Sequence, residues 1–395
     1  MADPGRRDDG GPLHVLYLID SLIAGGGAER SLAALAPHYR RLGVRLDVAY
    51  LHERPGVRGE LEAASAEVFP LTDARHLPAA TRRAAELIRA RRPDLVHTTL
   101  FEADIVGRVA STFARTPVVS SLVNAAYGPE QLDNPALKAW KVRGAQLLDA
   151  ATARRVRRFH AVSSSVAEVM AARLRVPRDR IDVIPRGRDP RQLGERSEAR
   201  RVAARAAVGA GDRDRVVLAV GRHEYQKGYD VLLRAFAGVK EAHPNATLLI
   251  AGRETTTTPA LRALADSLGH HSSVRFLGVR EDVGELLCAA DVFAFPSRWE
   301  GMPGGVLEAM ALETPIVASD IGPVREVLGD PPLGCLVPVD DVEALSRAIR
   351  LALHEPIDAA RTAAARARFL ERFTIDAVAE EMVRFYARAI SPARQ

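Results

Sequence analysis

Short apolar runs alternate with longer amphipathic stretches along most of the chain. The runs are rich in Val, Ile and Leu, which is typical of strands buried on both faces of a sheet. Helical patterns such as Glu29–Leu42 and Ala79–Ala90 separate them, and this alternation predicts a parallel sheet with helices on both faces. In the first half the predicted strands are His14–Ile19, Arg45–Tyr50, Glu67–Pro70, Leu95–Thr98, Pro117–Leu122, Phe159–Val162 and Asp182–Ile184.

A second series of strands and helices begins near residue 215. Two successive doubly wound units predict the α/β class with two Rossmann-like domains. Ligands of such sheets bind at the carboxyl ends of the strands, so we expect a central cleft that both sheets face. The predicted strands of this series are Val216–Val220, Thr247–Ala251, Ser273–Leu277, Val292–Pro296, Ile316–Ala318 and Gly334–Val337.

The segment that separates the two series, residues 191–214, is charged and weakly apolar, and we predict that it is a linker. The first domain then spans residues 12–190 and the second spans residues 215–374. Residues 375–395 continue with a strong helical pattern after the second sheet is complete. Residues 1–11 are polar and Gly-rich and are predicted to be disordered.

Length and composition limit the function classes. The chain has 395 residues and a net charge of +5, which suits two domains and an anionic ligand. Its arginines are spread along the chain without an aromatic-flanked basic platform, so nucleic acid is not an expected partner. Cys288 and Cys335 do not make a disulfide framework or a zinc site. We find no signal peptide and no apolar run near the roughly 20 residues that span a bilayer, and expect a cytoplasmic protein.

The most informative segment runs from Ser297 to Ala318, SRWEGMPGGVLEAMALETPIVA. It predicts a strand end, a polar loop and a helix that begins near Gly304. The turn before the helix presents backbone N–H groups and a positive helix end to an anion, while Glu300 and Glu308 can accept hydrogen bonds from hydroxyls. A ligand that offers both a phosphate and several hydroxyls to such a site is a nucleotide sugar. The ordinary alternatives are a loop carboxylate and a helix-surface carboxylate.

Two cations follow the first strand of the second series. Gly221-Arg222 comes directly after Val216–Val220, and Lys227-Gly228 lies five residues later. Arginine and lysine together can neutralise a diphosphate leaving group. The alternative is a solvated loop, but the strand-end position and the glutamates of the same domain favour a functional role.

Three glycines, Gly25, Gly26 and Gly27, follow the first strand and precede a helix. Such a loop lets a ligand approach the backbone closely. It is neither a GxGxxG motif nor a P-loop, and a plain strand-to-helix turn is the alternative. His97 near the end of Leu95–Thr98, and more weakly Asn124 after the next strand, are predicted to point into the cleft. The alternative for His97 is a buried histidine with satisfied hydrogen bonds.

Three other interpretations are set aside. Glu300 and Glu308 could be the acid and nucleophile of a glycosidase, but a hydrolase does not need phosphate-binding amides. Asp212-Arg213-Asp214 matches a metal-binding DxD pattern, but it precedes a strand and is interpreted as surface charge. The basic stretch Lys138–Arg158 could lie on an anionic membrane, yet its apolar face is mostly alanine, which favours a solvated helix.

Together these segments resemble the retaining glycosyltransferases of family 4, whose GT-B architecture consists of two Rossmann-like domains. The resemblance covers nearly the whole chain and rests on the order and spacing of the motifs. These motifs are GGGAERSLAALA, PDLVHTT, HAVSSSVAEVM, VIPRGRD, GRHEYQKGYDVLLRAF, LLIAGR, FLGVREDV, FAFPSRWEGMPGGVLEAMA and PIVASDIG.

The resemblance implies roles for the polar candidates of the second domain. Arg222 and Lys227 would hold the donor diphosphate. Glu308 would bind the ribose hydroxyls, and Glu300 would contact the transferred sugar.

Backbone and first-domain roles follow from the same resemblance. The amides of Gly304, Gly305 and Val306 would meet phosphate and sugar, and Val279 would lie along the base. His97 would sit beside the donor sugar, while the 25–27 loop closes over the phosphates. The last helix would cross back to the first, acceptor-side domain.

The chain departs from the family at two places. Pro185-Arg186-Gly187, followed by Arg188, stands where members usually have Pro-Asn-Gly, and Asn124 stands where many have histidine. Both departures lie on the acceptor side, so they bear on the acceptor and not on the reaction class.

The predicted function is retaining transfer of a hexose-type sugar from a nucleoside diphosphate, with UDP favoured, to a hydroxyl of a small molecule or glycan. No metal or other cofactor is expected. The alternatives are a sugar-nucleotide epimerase of the same fold, a non-catalytic sugar-nucleotide sensor, and a membrane-docked transferase with a lipid acceptor.

Overall fold

The structure of the protein is a computed structural model that describes residues 11–24, 26–71, 76–128, 138–211, 213–270, 272–354 and 358–391. The chain divides into two compact units. The first comprises Met1–Gly187 and Ile375–Gln395, and the second comprises Arg188–Thr374. The first unit therefore ends before residue 190, and the predicted linker lies inside the second unit.

The first unit is built on a seven-stranded sheet in the order β3-β2-β1-β4-β5-β6-β7. All neighbouring strands are parallel, and Tyr17 of β1 lies opposite His97 of β4. The order reverses between β1 and β4, which is where doubly wound sheets bind ligands. The strands are β1 Leu13–Ser21, β2 Val44–His52, β3 Glu67–Pro70, β4 Leu95–Thr99, β5 Val118–Leu122, β6 Arg158–Ala161 and β7 Ile181–Val183.

Helices cover this sheet, and the last helix of the chain is one of them. The long helices keep an apolar stripe toward the strands, which is the pattern of a surface helix. The described helices are α1 Gly27–Arg41, α2 Arg58–Ala63, α3 Leu77–Arg91, α4 Phe101–Ala114, α5 Ala139–Ala153, α6 Ser164–Leu174 and, after the second unit, α16 Ile375–Ile390. Helix α16 packs on α1, with the rings of Tyr39 and Tyr386 5.9 Å apart, so the end of the chain completes the first core.

The second unit contains a six-stranded parallel sheet in the order β10-β9-β8-β11-β12-β13. This order repeats that of the first six strands of the first unit, and its reversal lies between β8 and β11. The strands are β8 Arg215–Val220, β9 Ala246–Ala251, β10 Val274–Gly278, β11 Val292–Phe295, β12 Ile316–Ser319 and β13 Cys335–Val337.

The helices of the second unit include two within the predicted linker. They are α7 Pro190–Leu193, α8 Glu198–Ala207, α9 Tyr229–Ala242, α10 Thr258–Ser267, α11 Val283–Ala289, α12 Gly304–Ala311, α13 Gly322–Leu328, α14 Val342–His354 and α15 Ala359–Arg372. Helix α8 packs on the unit through its arginines: Arg205 and Arg201 both bind Asp291. The segment is charged because it forms ion pairs with the unit, which its composition alone does not reveal.

The predicted fold class is confirmed: both units are α/β with doubly wound parallel sheets. The apolar runs identified the strands well because strands buried on both faces carry little polar sequence. Among the described helices, none is long and apolar enough to cross a bilayer.

Candidate functional site

Two loops of the second unit, one after β8 and one after β11, are held against each other. The backbone N–H of Arg298 donates to the carbonyl of Gln226 at 2.8 Å. The amide of Gln226 donates in turn to the carbonyl of Trp299, 73 residues away, at 2.7 Å. The loops meet because β8 and β11 are neighbours where the strand order reverses.

Lys227 and Glu300 form an ion pair at this junction. The Lys227 Nζ lies 2.5 Å from the Glu300 Oε1, and the side chains are 15% and 8% exposed. The ammonium also lies 5.3 Å from the ring centroid of Phe295. Because an ammonium carries three donor hydrogens, Lys227 can bind a phosphate oxygen while it keeps Glu300.

Gly228 fixes the position of Lys227. Its φ is +64°, and a Cβ at this residue would overlap the carbonyl oxygen of Pro296. Glycine is therefore required both by the left-handed backbone and by the close approach of the β11 end. Gly228 is also the N-cap of helix α9, so the loop that carries Lys227 ends at a fixed point.

Glu308 is paired with an arginine that the sequence analysis noted only as a departure. The Arg188 Nε donates to the Glu308 Oε1 at 2.6 Å, with both side chains partly exposed. The guanidinium also lies against the backbone of Gly304, where a Cβ would overlap it. A cation at the positive end of α12 is unfavourable by itself, and Glu308 offsets that cost. A ligand anion would offset it further.

The first turn of α12 offers one backbone donor. The N–H groups of Gly304 and Val306 already donate to the carbonyls of Met302 and Pro303, each at 3.0 Å. Within the described chain the N–H of Gly305 has no such acceptor. Of the three predicted amides, Gly305 is thus the one available to an anion in this conformation.

The remaining predicted residues of the second unit lie at the same edge of the sheet. Gly221 follows β8, and Arg222 binds Glu224 at 2.8 Å on the surface. Val279 follows β10 and is exposed. The structure therefore places the predicted residues of this unit at the carboxyl ends of β8, β10 and β11.

Tyr229 is a residue of this edge that sequence reasoning missed. It is buried, and within the described chain its hydroxyl has no hydrogen-bond partner. A Cβ at Gly221 would lie 2.9 Å from that hydroxyl. Burial, and then the charge of Glu300, raise the Tyr229 pKa, so the phenol stays protonated as a donor behind the loop. The available signal was a hydroxyl-bearing residue next to Lys227-Gly228.

His97 lies in the first unit and is held on both sides. Its Nδ1 is 2.7 Å from the Tyr386 hydroxyl and its Nε2 is 2.7 Å from the Ser121 Oγ. It occupies the middle of β4 rather than its end, and it is 1% exposed. Burial holds its pKa well below the usual range, so the ring is neutral near pH 7. Contact of His97 with a donor sugar stays a prediction.

His97 lines a pocket of the first unit together with other neutral polar groups. His160 binds Ser121 and the carbonyl of Ile184, both at 2.8 Å, and burial lowers its pKa to about 4. Tyr17 also lines the pocket, and burial raises its pKa to about 12. The lining is thus uncharged near pH 7 apart from Arg186, which adds a guanidinium.

Gly27 of the glycine loop lies near Arg186, which lines the same pocket. Gly26 caps α1 and Gly27 begins it, and a Cβ at Gly27 would lie 2.5 Å from the Arg186 Nη1. Gly25 lies outside the described residues. Asn124 follows β5 and is exposed, and it does not line the pocket. The structure therefore brings His97, Gly27 and Arg186 together and leaves Asn124 apart.

No metal cluster is found in the part of the chain that the structure describes. Asp214 accepts a hydrogen bond from the N–H of Gly211, as in an ordinary turn, and Asp212 lies outside the described residues. Cys288 and Cys335 are both free thiols. Metal-independent chemistry stays a prediction.

Two family profiles match the chain in sequence order. The profile described as Glycosyltransferase Family 4 matches residues 25–192, and the profile described as Glycosyl transferases group 1 matches residues 201–368.

Two curated relatives of the chain are glycosyltransferases. The D-inositol 3-phosphate glycosyltransferase of Mycobacterium sp. (strain KMS) is 31% identical over 361 residues, which cover 87% of this chain and 77% of the relative. The phosphatidyl-myo-inositol mannosyltransferase of Mycobacterium leprae is 39% identical over 176 residues, but this match spans only 44% of this chain and 46% of the relative.

Solved structures share the fold. The Anabaena protein HepE, crystallised with UDP and glucose, superposes with a TM-score of 0.82 at 22% identity, covering 95% of this chain and all of that protein (100%). WaaG, a glycosyltransferase of lipopolysaccharide biosynthesis, superposes with a TM-score of 0.74 at 18% identity, covering 94% and 99%. At these identities the similarity establishes the fold alone.

Proposed function

Because the chain belongs to glycosyltransferase family 4 of the group 1 glycosyl transferases, we propose that it transfers a hexose, with retention, from a UDP-sugar to an acceptor hydroxyl. The observation that carries the proposal is the pair of carboxylate–cation contacts at one edge of the second sheet, Lys227–Glu300 and Arg188–Glu308. Cations there suit a diphosphate, and carboxylates there suit sugar hydroxyls.

In this proposal the leaving diphosphate is held by fixed positive groups. Lys227 and Arg222 supply the charge, and the N–H of Gly305 supplies a backbone donor. Negative charge grows on the diphosphate in the transition state, so groups that are already in place stabilise that state without reorganising. The crystallised HepE complex with UDP and glucose supports UDP and a hexose as the parts of the donor.

The two carboxylates orient the rest of the donor. Glu300 accepts hydrogen bonds from hydroxyls of the transferred sugar, and Glu308 accepts them from the ribose. Each is directed by the cation that it contacts, Lys227 or Arg188. We propose neither as a nucleophile.

The reaction breaks the bond between the anomeric carbon and the phosphate oxygen. The acceptor oxygen forms its bond to that carbon on the same face, and its proton passes to the departing phosphate oxygen. The bonds and the proton balance without a metal or an enzymic nucleophile. Retention of configuration is taken from the family and awaits product analysis.

The acceptor is proposed to be a polyhydroxylated ring that bears an anionic group. The names of two relatives specify inositol-containing acceptors, which supports this class. The neutral donors and acceptors that line the first-unit pocket suit hydroxyls, and Arg186 suits the anion. The pocket belongs to the acceptor-side domain of the family.

The direct test incubates the purified chain with UDP-glucose, UDP-galactose, UDP-N-acetylglucosamine or GDP-mannose and a pool of cyclitol and sugar acceptors. Mass spectrometry should detect a hexose-bearing product and equimolar nucleoside diphosphate that depends on the acceptor. Glu300→Ala should abolish the product while the protein stays folded. Epimerised donor without transfer, or normal transfer by Glu300→Ala, would contradict the proposal.

A further inference from the structure

Helix α5, Ala139–Ala153, presents its large apolar side chains outward. Trp140 and Leu147 are 69% and 68% exposed, and Leu148 is 42% exposed. Its alanines alone predict a solvated helix. The structure turns Val142 and Ala153 inward and leaves the larger apolar side chains outside.

Helix geometry explains why the outward side chains share one face. Successive residues turn by about 100°, so positions 140, 144, 147 and 151 project within about 60° of one another. Gly144 and Ala151 are the small residues of this stripe, and both are exposed. The stripe lies opposite the buried positions 142, 149 and 153. Trp140 and Leu147, the large residues of the stripe, are therefore directed away from the unit that carries them.

Cations flank the stripe, and one of them, Lys141, lies 5.7 Å from the ring centroid of Trp140. No ion pair is found for them in the described chain, although many other arginines of the molecule are paired. The cations are Lys138, Lys141, Arg143, Arg154 and Arg155. The one acid of the helix, Asp149, is buried and lies 2.5 Å from Arg108. The outer face of α5 is thus apolar and basic, with no acidic side chain.

We infer that this face, defined by Trp140, Leu147, Leu148 and the five flanking cations, docks on the surface of an anionic lipid bilayer. Tryptophan and leucine insert at the boundary of headgroup and acyl chain, and the cations meet lipid phosphates. Charge complementarity selects this occupant. A second copy that used the same face would bring like charges together.

Tryptophan fluorescence gives a site-specific test. The chain has two tryptophans, so Trp299→Phe leaves Trp140 as the sole reporter. Phosphatidylcholine vesicles that contain phosphatidylglycerol should shift the Trp140 emission to the blue, and pure phosphatidylcholine vesicles should not. No shift with the anionic vesicles would overturn the inference.

Sedimentation with the same vesicles separates the apolar and the charged contributions. Trp140→Ala/Leu147→Ala/Leu148→Ala and, separately, Arg143→Gln/Arg154→Gln/Arg155→Gln should each lower partitioning by about tenfold or more. The matched controls lie in the second unit. They are Leu351→Ala/Leu370→Ala, which alters exposed leucines, and Arg262→Gln/Arg325→Gln/Arg347→Gln, which removes the same charge.

Both control variants should sediment with the vesicles like the unchanged protein. A higher salt concentration should release the unchanged protein from the vesicles. Equal loss in both control variants would contradict docking through α5. Light scattering in the absence of lipid tests whether a second copy of the chain binds this face instead. A dimer that the Trp140/Leu147/Leu148 variant abolishes would show that a second copy covers the face and would contradict lipid docking. Vesicle binding requires no catalysis, so it stands or falls separately from the proposed transferase activity.

Discussion

The two units share the order of six strands but differ in the charge of the edges that we propose bind the substrates. At the edge of the second sheet, ionised side chains pair across loops, as Lys227 does with Glu300 and Arg188 with Glu308. At the edge of the first sheet, His97 and His160 are buried, neutral and bound to hydroxyls. One scaffold thus carries an edge suited to a diphosphate and another suited to hydroxyls.

The difference between the edges indicates where specificity can change. In the proposed function the charged edge matches phosphate geometry, which many donors share, so we expect substitutions there to be poorly tolerated. The residues of the neutral edge must instead complement the shape and the hydrogen-bond pattern of the acceptor. Two departures from the family pattern, Arg186 and Asn124, fall in the first unit, whereas Arg188 falls in the second unit and pairs with Glu308. The expectation that all of them lie on the acceptor side is therefore wrong for Arg188.

The largest expected effect is the loss of a phosphate cation. Lys227→Ala removes positive charge from the leaving group and leaves Glu300, 8% exposed, without its partner. We expect kcat/KM to fall by about 10³. Lys240→Ala, which alters a half-buried lysine of the same unit, is the matched control and should keep full activity. Comparable rates for the two variants would remove Lys227 from the mechanism.

The neutral edge predicts a dependence of stability on pH. Burial lowers the His160 pKa to about 4, below the unfolded value near 6.5, so the unfolded chain binds more protons between these values. His160 thus contributes stability that is present above pH 6.5 and is lost as the pH falls toward 4. The span corresponds to about 3 kcal/mol.

Urea unfolding at pH 7 and pH 4.5, followed by Trp140 in the first unit and Trp299 in the second, measures this loss. His160→Asn should show a smaller acid loss in the Trp140 transition and an unchanged one in the Trp299 transition. Asp20, whose pKa burial raises to about 6, acts in the opposite sense and is common to both proteins. The same acid sensitivity with and without the imidazole would refute the role of His160.

A smaller effect is expected at Arg188. Removing its guanidinium frees Glu308 from the 2.6 Å contact that directs it. Arg188→Ala should raise the donor KM by about tenfold with little change in kcat, and Arg188→Lys should recover part of the loss. Arg191→Ala, on the exposed side of α7, is the control. A fall in kcat at unchanged KM would assign Arg188 a different role.

Removal of metal ions should have no effect on either edge. In the proposed function Lys227, Arg222 and the backbone N–H of Gly305 hold the diphosphate in place of a metal ion. Dialysis against EDTA should leave the transfer rate within about twofold, and added Mg²⁺ or Mn²⁺ should not raise it. Loss of activity that a divalent cation restores would contradict the metal-independent proposal.

The sequence predicted the strands far better than the contacts of the site. Buried parallel strands carry continuous apolar runs, so the predicted strand Ile316–Ala318 lies within the fully buried strand β12, Ile316–Ser319. The pairing of Arg188 with Glu308 joins residues 120 positions apart, and no local pattern encodes it. The predicted strand ended at Thr98, one residue after His97, whereas β4 continues to Thr99, which is polar but buried.

The outward face of α5 shows the same limit. Its alanines and its Trp140 are all apolar, and the pattern alone does not tell which face packs on the unit. That choice is made by the buried Arg108–Asp149 pair, a tertiary contact. The sequence therefore predicts that the helix forms, but which of its faces is buried depends on tertiary contacts.

Calorimetry of UDP binding tests the contrast between the two edges most directly. The account predicts that Lys227→Ala, in the second unit, weakens UDP binding by tenfold or more, about 1.4 kcal/mol. His97→Gln, in the first unit, should change it by less than about threefold, since the nucleotide alone does not need the neutral edge. Undiminished UDP binding by a folded Lys227→Ala protein, or its loss in a folded His97→Gln protein, would contradict the account.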